Sequence, residues 1–305
     1  MTFPVLPMRT ARRVAFAIAL AAAAPALSAS GAQRAYPSPQ AAVDALFDAL
    51  VSGDPRELVP VFGADVARIA PVADEAAMAR ARGRFVGAWS RGHAIETLSP
   101  DRARLAVGDA GWTYPVPIVR GADGRWRWDT AAGAREVAVR RVGRNELAAM
   151  NALRAYVAAQ HDYARVDRDG DGVAEYARRL DSRPGRRDGL HWDEAGGARS
   201  PLGPGIAAAD ERARDGEAYH GYRFRILEAQ GASARGGPRD YRVSGRLVAG
   251  FGAIATPAEY GRSGVHTFVV NHEGRVWSVD LGTGTRAAAA RIDRFDPGAG
   301  WKAED

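Results

Sequence analysis

The sequence contains no cysteine, and this absence excludes several kinds of chemistry. Disulfides, thiolate metal sites, a cysteine nucleophile and lipid attachment at a cysteine are all ruled out for these residues. A folded chain without disulfides depends on its hydrophobic core, and 46% hydrophobic residues over 305 positions are enough for more than one core. We therefore expect two domains.

Lysine is almost absent, because Lys302 is the only one and arginine carries nearly all of the positive charge. The formal net charge is +6, from 42 basic and 36 acidic residues, and the arginines alternate with Asp and Glu instead of forming a run. A nucleic-acid-binding protein is expected to carry a basic stripe or patch. The sequence therefore predicts no nucleic-acid partner.

Long apolar runs are also scarce, and the one near the start has the pattern of a secretory signal. Three arginines precede an apolar core from Val14 to Ala26, and small residues then predict cleavage after Ala29 or Ala32. The apolar core is shorter than a membrane span requires, although an uncleaved anchor is the alternative. We expect residues 1–32 to be a signal peptide, and the protein to be periplasmic or secreted with no stable membrane span after signal removal.

Residues 33–138 are predicted to form an N-terminal α+β domain of helices and a curved sheet. Ser38 is a helix N-cap ahead of Pro39, and the apolar residues that follow share one helix face until Gly53. A period of two then replaces the helical period, which predicts an antiparallel sheet. The later predicted elements are a helix at 76–89 and strands at 104–107, 111–120 and 125–129.

Residues 139–305 are predicted to form a second α+β domain, a long helix packed on an antiparallel sheet. A charged segment at 136–143 separates the two domains, and Asn145 is the predicted N-cap of the long helix. Met150, Leu153 and Val157 give that helix an apolar stripe that would lie across a sheet. About four strands are predicted, at 219–227, 241–255, 264–271 and 275–280, with short helices at 206–215 and 286–294.

An acidic loop follows the long helix, with carboxylates at alternate positions and glycine between them. Asp167, Asp169 and Asp171 are spaced as a calcium loop requires, and Glu175 is the nearest further acidic ligand. The closing position holds Arg178, where a bidentate Glu would complete the ligand set, so any affinity for calcium should be weak. The alternative is a solvated turn in which the Asp side chains bond to local amides.

A loop rich in glycine and proline then carries the candidate ligand-binding residues. His191 and Trp192 lie between acidic residues there, and Tyr219, His220 and Tyr222 follow at the start of the predicted sheet. Loops are frequent places for binding residues. We expect a His/Tyr cleft from these five residues, with His266 or Glu259 as further members; the alternative is that Trp192 only anchors the loop.

The N-terminal half resembles the cystatin-like cone of the nuclear-transport-factor-2-like superfamily through SPQAAVDALFDALVSGD and WTYPVPIVRGADGRWRWDT. That resemblance implies a small ligand inside the cone, which Trp112, Tyr114, Trp126 and Trp128 would line. The alternative is that these aromatic residues pack the sheet against the first helix.

The C-terminal half resembles the globular part of type IV pilins and pseudopilins. The resemblance lies in AAMNALRAYVAAQHDYARVDRDGDGVAEYARRL, GYRFRIL and AIATPAEYGRSGVHTFVVNHEGRVW, and it implies calcium in a loop for some members. A whole domain precedes the long helix here, so polymerisation into a pilus is not expected. Over nearly its whole mature length the chain resembles exported bacterial family number 2950 of unknown function, through WTYPVPIV, GRWRWDTAAG, RRVGRNELAAM, DRDGDGVAEYA, SPLGP, YHGYRFRIL and PAEYGRSGVHTFVVN.

Two classes of function remain open after these observations. The first is a non-catalytic module of the cell envelope that binds another envelope protein or polymer. The second is a small-ligand-binding protein or hydrolase that uses the N-terminal cone or the His/Tyr cleft. The sequence favours the first class, because its six histidines form no HExxH motif and it has neither a GxSxG elbow nor a P-loop.

Overall fold

The protein is an α+β protein, and the computed structural model describes residues 32–70, 75–168, 170–192, 197, 199–210 and 218–304. The predicted signal peptide therefore lies almost wholly outside the described residues. Within these residues, short 3₁₀ turns accompany the helices at Pro55–Glu57, Ala64–Arg68 and Gly282–Gly284. The helices are α1 (Pro39–Ser52), α2 (Leu58–Phe62), α3 (Glu75–Trp89), α4 (Thr130–Tyr163), α5 (Pro204–Ala207) and α6 (Thr285–Ala290).

Helix α1 begins and ends where the sequence predicts. The Ser38 side chain accepts a hydrogen bond from the amide of Ala41, Pro39 is the first helical residue, and Gly53 ends the helix with φ 75°. The buried face packs against the N-terminal sheet, where the indole Nε1 of Trp128 donates to the carbonyl of Ala42 at 3.1 Å. Local capping and the apolar period together determine this helix.

The N-terminal sheet is antiparallel, with order β1-β2-β4-β5 and β3 paired to β2. The predicted continuous strand at 111–120 is wrong, because Pro115 and Pro117 lack amide hydrogens and residues 114–117 leave the ladder. The first strand was not predicted, since its residues are mostly exposed and show no clear alternation. The strands are β1 (His93–Ser99), β2 (Arg102–Val107), β3 (Trp112–Thr113), β4 (Ile118–Arg120) and β5 (Trp126–Trp128).

Helix α4 begins earlier than predicted, which corrects the role given to Asn145. The carboxylate of Asp129 accepts from the amide of Ala132 at 2.9 Å and caps the helix, so the charged segment at 136–143 is helical. Asn145 lies inside the helix and donates to the carbonyl of Ser263 at 2.8 Å. Residue 138, the predicted domain boundary, therefore lies within a continuous helix.

The C-terminal sheet has five strands in the order β14-β13-β12-β11-β6, one more than the roughly four predicted. The extra strand lies at the C-terminal end of the described chain, and its three residues are too few to show the alternation of a strand. The predicted strand at 241–255 is wrong as one element, because residues 248–251 leave it. The strands are β6 (Tyr222–Leu227), β7 (Ala229–Gln230), β8 (Arg239–Asp240), β9 (Arg242–Val243), β10 (Arg246–Leu247), β11 (Gly252–Pro257), β12 (His266–Asn271), β13 (Val276–Asp280) and β14 (Lys302–Glu304).

The second half of α4 covers one face of this sheet, as its apolar stripe predicts. Leu153, Tyr156 and Ala159 are buried in the core beneath it. The Tyr156 hydroxyl donates to the carbonyl of Gly252 at 2.9 Å, which fixes the helix to β11. Helix α6 packs on the opposite face, where Ala289 is buried. None of the helices within the described ranges combines the length and the apolar character needed to cross a bilayer.

Candidate functional site

His191 and Trp192 border a groove of about 650 Å³ beside the loop at 181–187. The His191 Nδ1 atom lies 2.9 Å from an Asp181 carboxylate oxygen, and an isolated parallel bridge joins the same two residues. Trp192 is 5% exposed and belongs to the C-terminal core, with the guanidinium of Arg168 5.0 Å from its ring centroid. Trp192 thus anchors the loop to the C-terminal core.

Tyr219, His220 and Tyr222 lie elsewhere, at the start of β6. The Tyr222 ring is fully buried, and its hydroxyl donates to the carbonyl of His266 at 2.8 Å. Burial raises the pKa of Tyr222 above its ordinary value and nearby Glu146 raises it further, so the phenol stays protonated. The His220 ring is exposed and lies 4.5 Å from the Tyr219 ring.

The structure does not bring the predicted cleft residues into one cavity. Among its described lining residues, the groove at His191 contains none of Tyr219, His220 and Tyr222. Tyr222 packs inside the core, whereas His220 is exposed to solvent, so the two side chains do not face the same space. A shared His/Tyr site is therefore not what the geometry supports.

His266 and Glu259 also have local structural roles. One carboxylate oxygen of Glu146, on α4, accepts from the amides of Val265 and His266 at 2.9 and 3.0 Å and lies 3.2 Å from His266 Nδ1. Glu259 pairs with Arg262 at 2.9 Å on the surface. The contacts of Glu146 connect α4 to the segment that leads into β12.

The acidic loop is closed by contacts within the protein. Both carboxylate oxygens of Asp167 accept backbone hydrogen bonds, from Gly170 and Gly172, each at 2.8 Å. Gly170 and Gly172 have φ of 78° and 86°, which a residue with a side chain rarely adopts. Asp171 forms an ion pair with Arg246 on β10. These contacts tie the end of α4 to the β9–β10 hairpin.

The rest of the predicted ligand set is only partly described. Asp169 lies outside the described residues, and Glu175 lines a separate pocket further along the chain. Arg178, at the closing position, pairs with Glu228 at 3.0 Å. Within the ranges that the structure covers, no three His, Asp or Glu side chains are grouped to hold a metal ion.

An apolar cavity of about 400 Å³ lies in the N-terminal half, between α1, α3 and the aromatic residues of the sheet. One face of α3 forms a wall, with residues at helical spacing. Trp112 is 48% exposed at its edge, and its ring lies 6.1 Å from that of Tyr114. The described lining consists of Ala49, Leu50, Gly53, Asp54, Pro55, Leu58, Ile69, Ala70, Ala77, Met78, Ala81, Arg82, Phe85, Trp112 and Tyr114.

Asp54 and Arg82 are the charged side chains in this described lining. The Asp54 carboxylate accepts from the Arg56 side chain at 2.7 to 3.0 Å, and these bonds and the Arg56 amide lower the pKa of Asp54. Arg82 is half-buried and donates from Nη1 to the carbonyl of Gly53 at 3.3 Å. Desolvation by burial raises the pKa of the Tyr114 phenol, so its hydroxyl stays neutral.

Two of the four aromatic residues predicted to surround a ligand border the observed cavity. Trp112 and Tyr114 border the apolar cavity, whereas Trp128 is 1% exposed and packs in the core beneath α1. Trp126 is absent from the cavity's described lining and packs against the same core. The prediction missed the α3 wall, although the apolar spacing of Ala77, Ala81 and Phe85 could have indicated it.

Comparison with known proteins gives one result. A family model described as "Protein of unknown function (DUF2950)" matches residues 33–303, from before α1 into β14. No match is found among curated proteins or among solved structures. Since the match spans far more than half of the sequence, this chain belongs to the DUF2950 family.

Proposed function

We propose that the protein is an exported, non-catalytic binding protein whose site is the apolar cavity of its N-terminal half. The observation that carries this proposal is the cavity itself, about 400 Å³ and bordered by apolar side chains from α1, α3 and the sheet. Cavities of roughly 300 to 1,000 Å³ with mostly apolar linings are typical of small-molecule sites. The cavity therefore fits a small apolar or amphipathic ligand.

The exposed edge of the cavity supports the same proposal. Trp112 leaves 48% of its surface exposed, and the guanidinium carbon of Arg140 lies 5.9 Å from its ring centroid. An exposed indole at the edge of an apolar cavity would gain contact area when a ligand enters. Ligand binding would give Trp112 the burial that it lacks in the free protein.

The polar groups of the cavity favour binding over conversion of the ligand. Asp54 is engaged by Arg56, and the lowered pKa keeps it an anion without a proton to donate. The raised pKa of Tyr114 keeps its hydroxyl protonated, which makes it a poor base. These groups can orient a ligand, but they form no acid–base pair.

A fluorescent apolar probe tests this site directly. N-phenyl-1-naphthylamine should bind the purified protein with an increase in emission, and Ala81→Phe should abolish binding by filling the cavity from α3. Ala79→Phe is the matched control, because both alanines are exposed on the same helix but Ala79 is not part of the cavity's described lining. Equal probe binding by both variants would refute the proposed site.

Export is a separate part of the proposal. It is supported by the charged and apolar pattern of residues 1–32, with small residues before the predicted cleavage after Ala29 or Ala32. We propose a periplasmic or secreted location. N-terminal sequencing of protein from cell fractions tests this, and full-length protein confined to the cytoplasm would contradict it.

For the acidic loop we propose a structural clasp between α4 and the β9–β10 hairpin. Its support is the pairing of Asp171 with Arg246 and the amide contacts of Asp167. Calcium bound by Asp167, Asp169, Asp171 and Glu175 is the alternative form of this clasp. A melting temperature that rises in calcium over chelator would favour the ion, since a ligand of the folded state stabilises it.

The predicted likenesses to the cystatin-like cone and to the pilin globular fold stay proposals for the two halves. Contact with another envelope protein or polymer is likewise a separate proposal, which would use surfaces outside the cavity. Val139 and Leu147, 66% and 58% exposed on α4, are the apolar residues to mutate in a search for such a partner. Unchanged pull-down patterns after Val139→Ser and Leu147→Ser would exclude that face.

A further inference from the structure

The cavity wall formed by α3 is apolar except at one position. Met78, Arg82 and Phe85 follow one another at spacings of four and three residues and share a helix face. Arg82 thus places a guanidinium between two apolar side chains that line the same cavity. The Arg82 side chain is half-buried, and its guanidinium lies against Gly53. A Cβ atom added to Gly53 would be 2.8 Å from Nη1 of Arg82.

The charge of Arg82 is not balanced by a carboxylate within the described part of the chain. Within the described residues, its guanidinium donates to the carbonyl of Gly53, at the C-terminal end of α1, over 3.3 Å. Asp54, the one carboxylate of the described lining, is already bound by Arg56 through both of its oxygens. Arg82 therefore supplies a positive charge that no carboxylate of the described lining neutralises.

An anion in this cavity would satisfy the guanidinium better than water or a carbonyl does. Arginine presents several N–H donors in a planar fork that matches a carboxylate, and such charge-assisted pairs are among the stronger hydrogen bonds in proteins. An apolar environment strengthens the attraction and penalises the unpaired charge. A neutral ligand of the same shape would leave that penalty in place.

We propose that the cavity binds an amphipathic monocarboxylic acid, with its carboxylate on Arg82 and its apolar part against Met78, Phe85 and Trp112. This inference rests on the proposed function, because it specifies the ligand class of the same site. A volume of about 400 Å³ admits on the order of ten to fifteen non-hydrogen atoms. A medium-chain fatty acid or a two-ring aromatic acid has that size.

The test compares decanoate with decan-1-ol, which differ in the carboxylate and share the same chain length. Each compound displaces N-phenyl-1-naphthylamine from the purified full-length protein at neutral pH. We expect decanoate to displace the probe at a much lower concentration than decanol. Arg82→Gln should weaken decanoate binding on the order of tenfold to a hundredfold and leave decanol unchanged.

Arg84→Gln is the matched control, because Arg84 is exposed on the same helix and is not part of the cavity's described lining. Retained probe binding by Arg82→Gln shows that the variant is folded. If the probe binds but decanoate has no advantage over decanol, or Arg84→Gln weakens decanoate as much as Arg82→Gln does, the carboxylate inference is overturned while the cavity proposal stands. If neither the probe nor decanoate binds, the proposed function itself is overturned.

Discussion

The two halves of the molecule have different kinds of interior. In the C-terminal half, buried polar side chains form hydrogen bonds deep in the core: the amide of Gln160 contacts Tyr156 and the backbone of Ala177. In the N-terminal half, the walls of the apolar cavity leave space between α1 and α3. Both the amide nitrogen and the oxygen of Gln160 have partners, and a network satisfied in this way holds the core around it in one arrangement. The N-terminal half instead leaves an open volume, which is the proposed ligand site.

Removing the C-terminal network should have the largest effect on stability. Gln160 is fully buried, and its side chain bonds to both the amide and the carbonyl of Ala177 at 2.8 Å. Gln160→Leu leaves both backbone groups buried without partners, so we expect a loss of about 2–5 kcal/mol in unfolding free energy. Urea denaturation measures it, with Gln40→Leu on the exposed side of α1 as control. Equal losses in both variants would contradict the rigid-core interpretation.

The same enlargement made in each half compares the packed core beneath α4 with the open wall of the cavity. Ala152 is 2% exposed beneath α4, so Ala152→Phe should overpack the core and cost roughly 1–3 kcal/mol. Ala81 is exposed where α3 borders the cavity, so Ala81→Phe should change the unfolding free energy by less than about 1 kcal/mol. Urea denaturation of both variants decides the point. A larger loss for Ala81→Phe would show that the cavity has no room for the added ring.

His272 gives the C-terminal half a dependence on pH. Burial lowers its pKa from the ordinary value of 6.5, and neighbouring Arg239 and His161 lower it further, although Glu273 opposes them. Below pH 6.5 the His272 imidazole of the unfolded chain therefore binds a proton that the folded protein still excludes. The contribution of neutral His272 to the unfolding free energy is thus fully present above pH 6.5 and is lost as the pH drops. In His272→Gln the midpoint of urea denaturation should fall less on acidification than in the unmodified protein. If the midpoint depends on pH equally in both, His272 is not the cause of the loss of stability.

The clasp at the acidic loop should have the smallest effect. The side chains of Arg246 and Asp171 are 39% and 30% exposed, and solvent screens a pair at that exposure. Arg246→Gln should cost no more than roughly 1 kcal/mol, and less in high salt. Thermal unfolding at low and high salt measures this. A loss that persists in high salt would mean that the hairpin depends on this pair for its packing.

Patterns within short segments predicted much of the fold correctly. The capping of α1, the α+β class, the alternation of β6 and the turn before β13 follow from neighbouring residues, and the structure confirms them. Predictions that needed distant partners failed. Asn145 is a strong capping residue in isolation, but Asp129 caps the helix sixteen residues earlier, and Asn145 instead donates to the carbonyl of Ser263.

The residues of the candidate site were likewise predictable only where short sequence patterns carried a signal. The resemblance to the cystatin-like cone suggested four aromatic residues around a ligand; Trp112 and Tyr114 border the observed cavity, whereas Trp126 and Trp128 pack in or against the core. Arg82 was missed, since one arginine among many on an arginine-rich chain has no distinguishing neighbours. Only the packing of α3 against α1 shows that this arginine enters an apolar cavity.

The absence of thiol chemistry, the balanced charge, the family and the approximate positions of helices and strands follow from the sequence. These properties depend on composition and on residues close together in the chain. Which side chains share a cavity follows only from the folded structure, because His191 and Tyr222 meet different neighbours in space while Arg82, Gly53 and Trp112 line one volume. The proposed binding depends on that convergence of distant residues, which spacing along the chain does not encode.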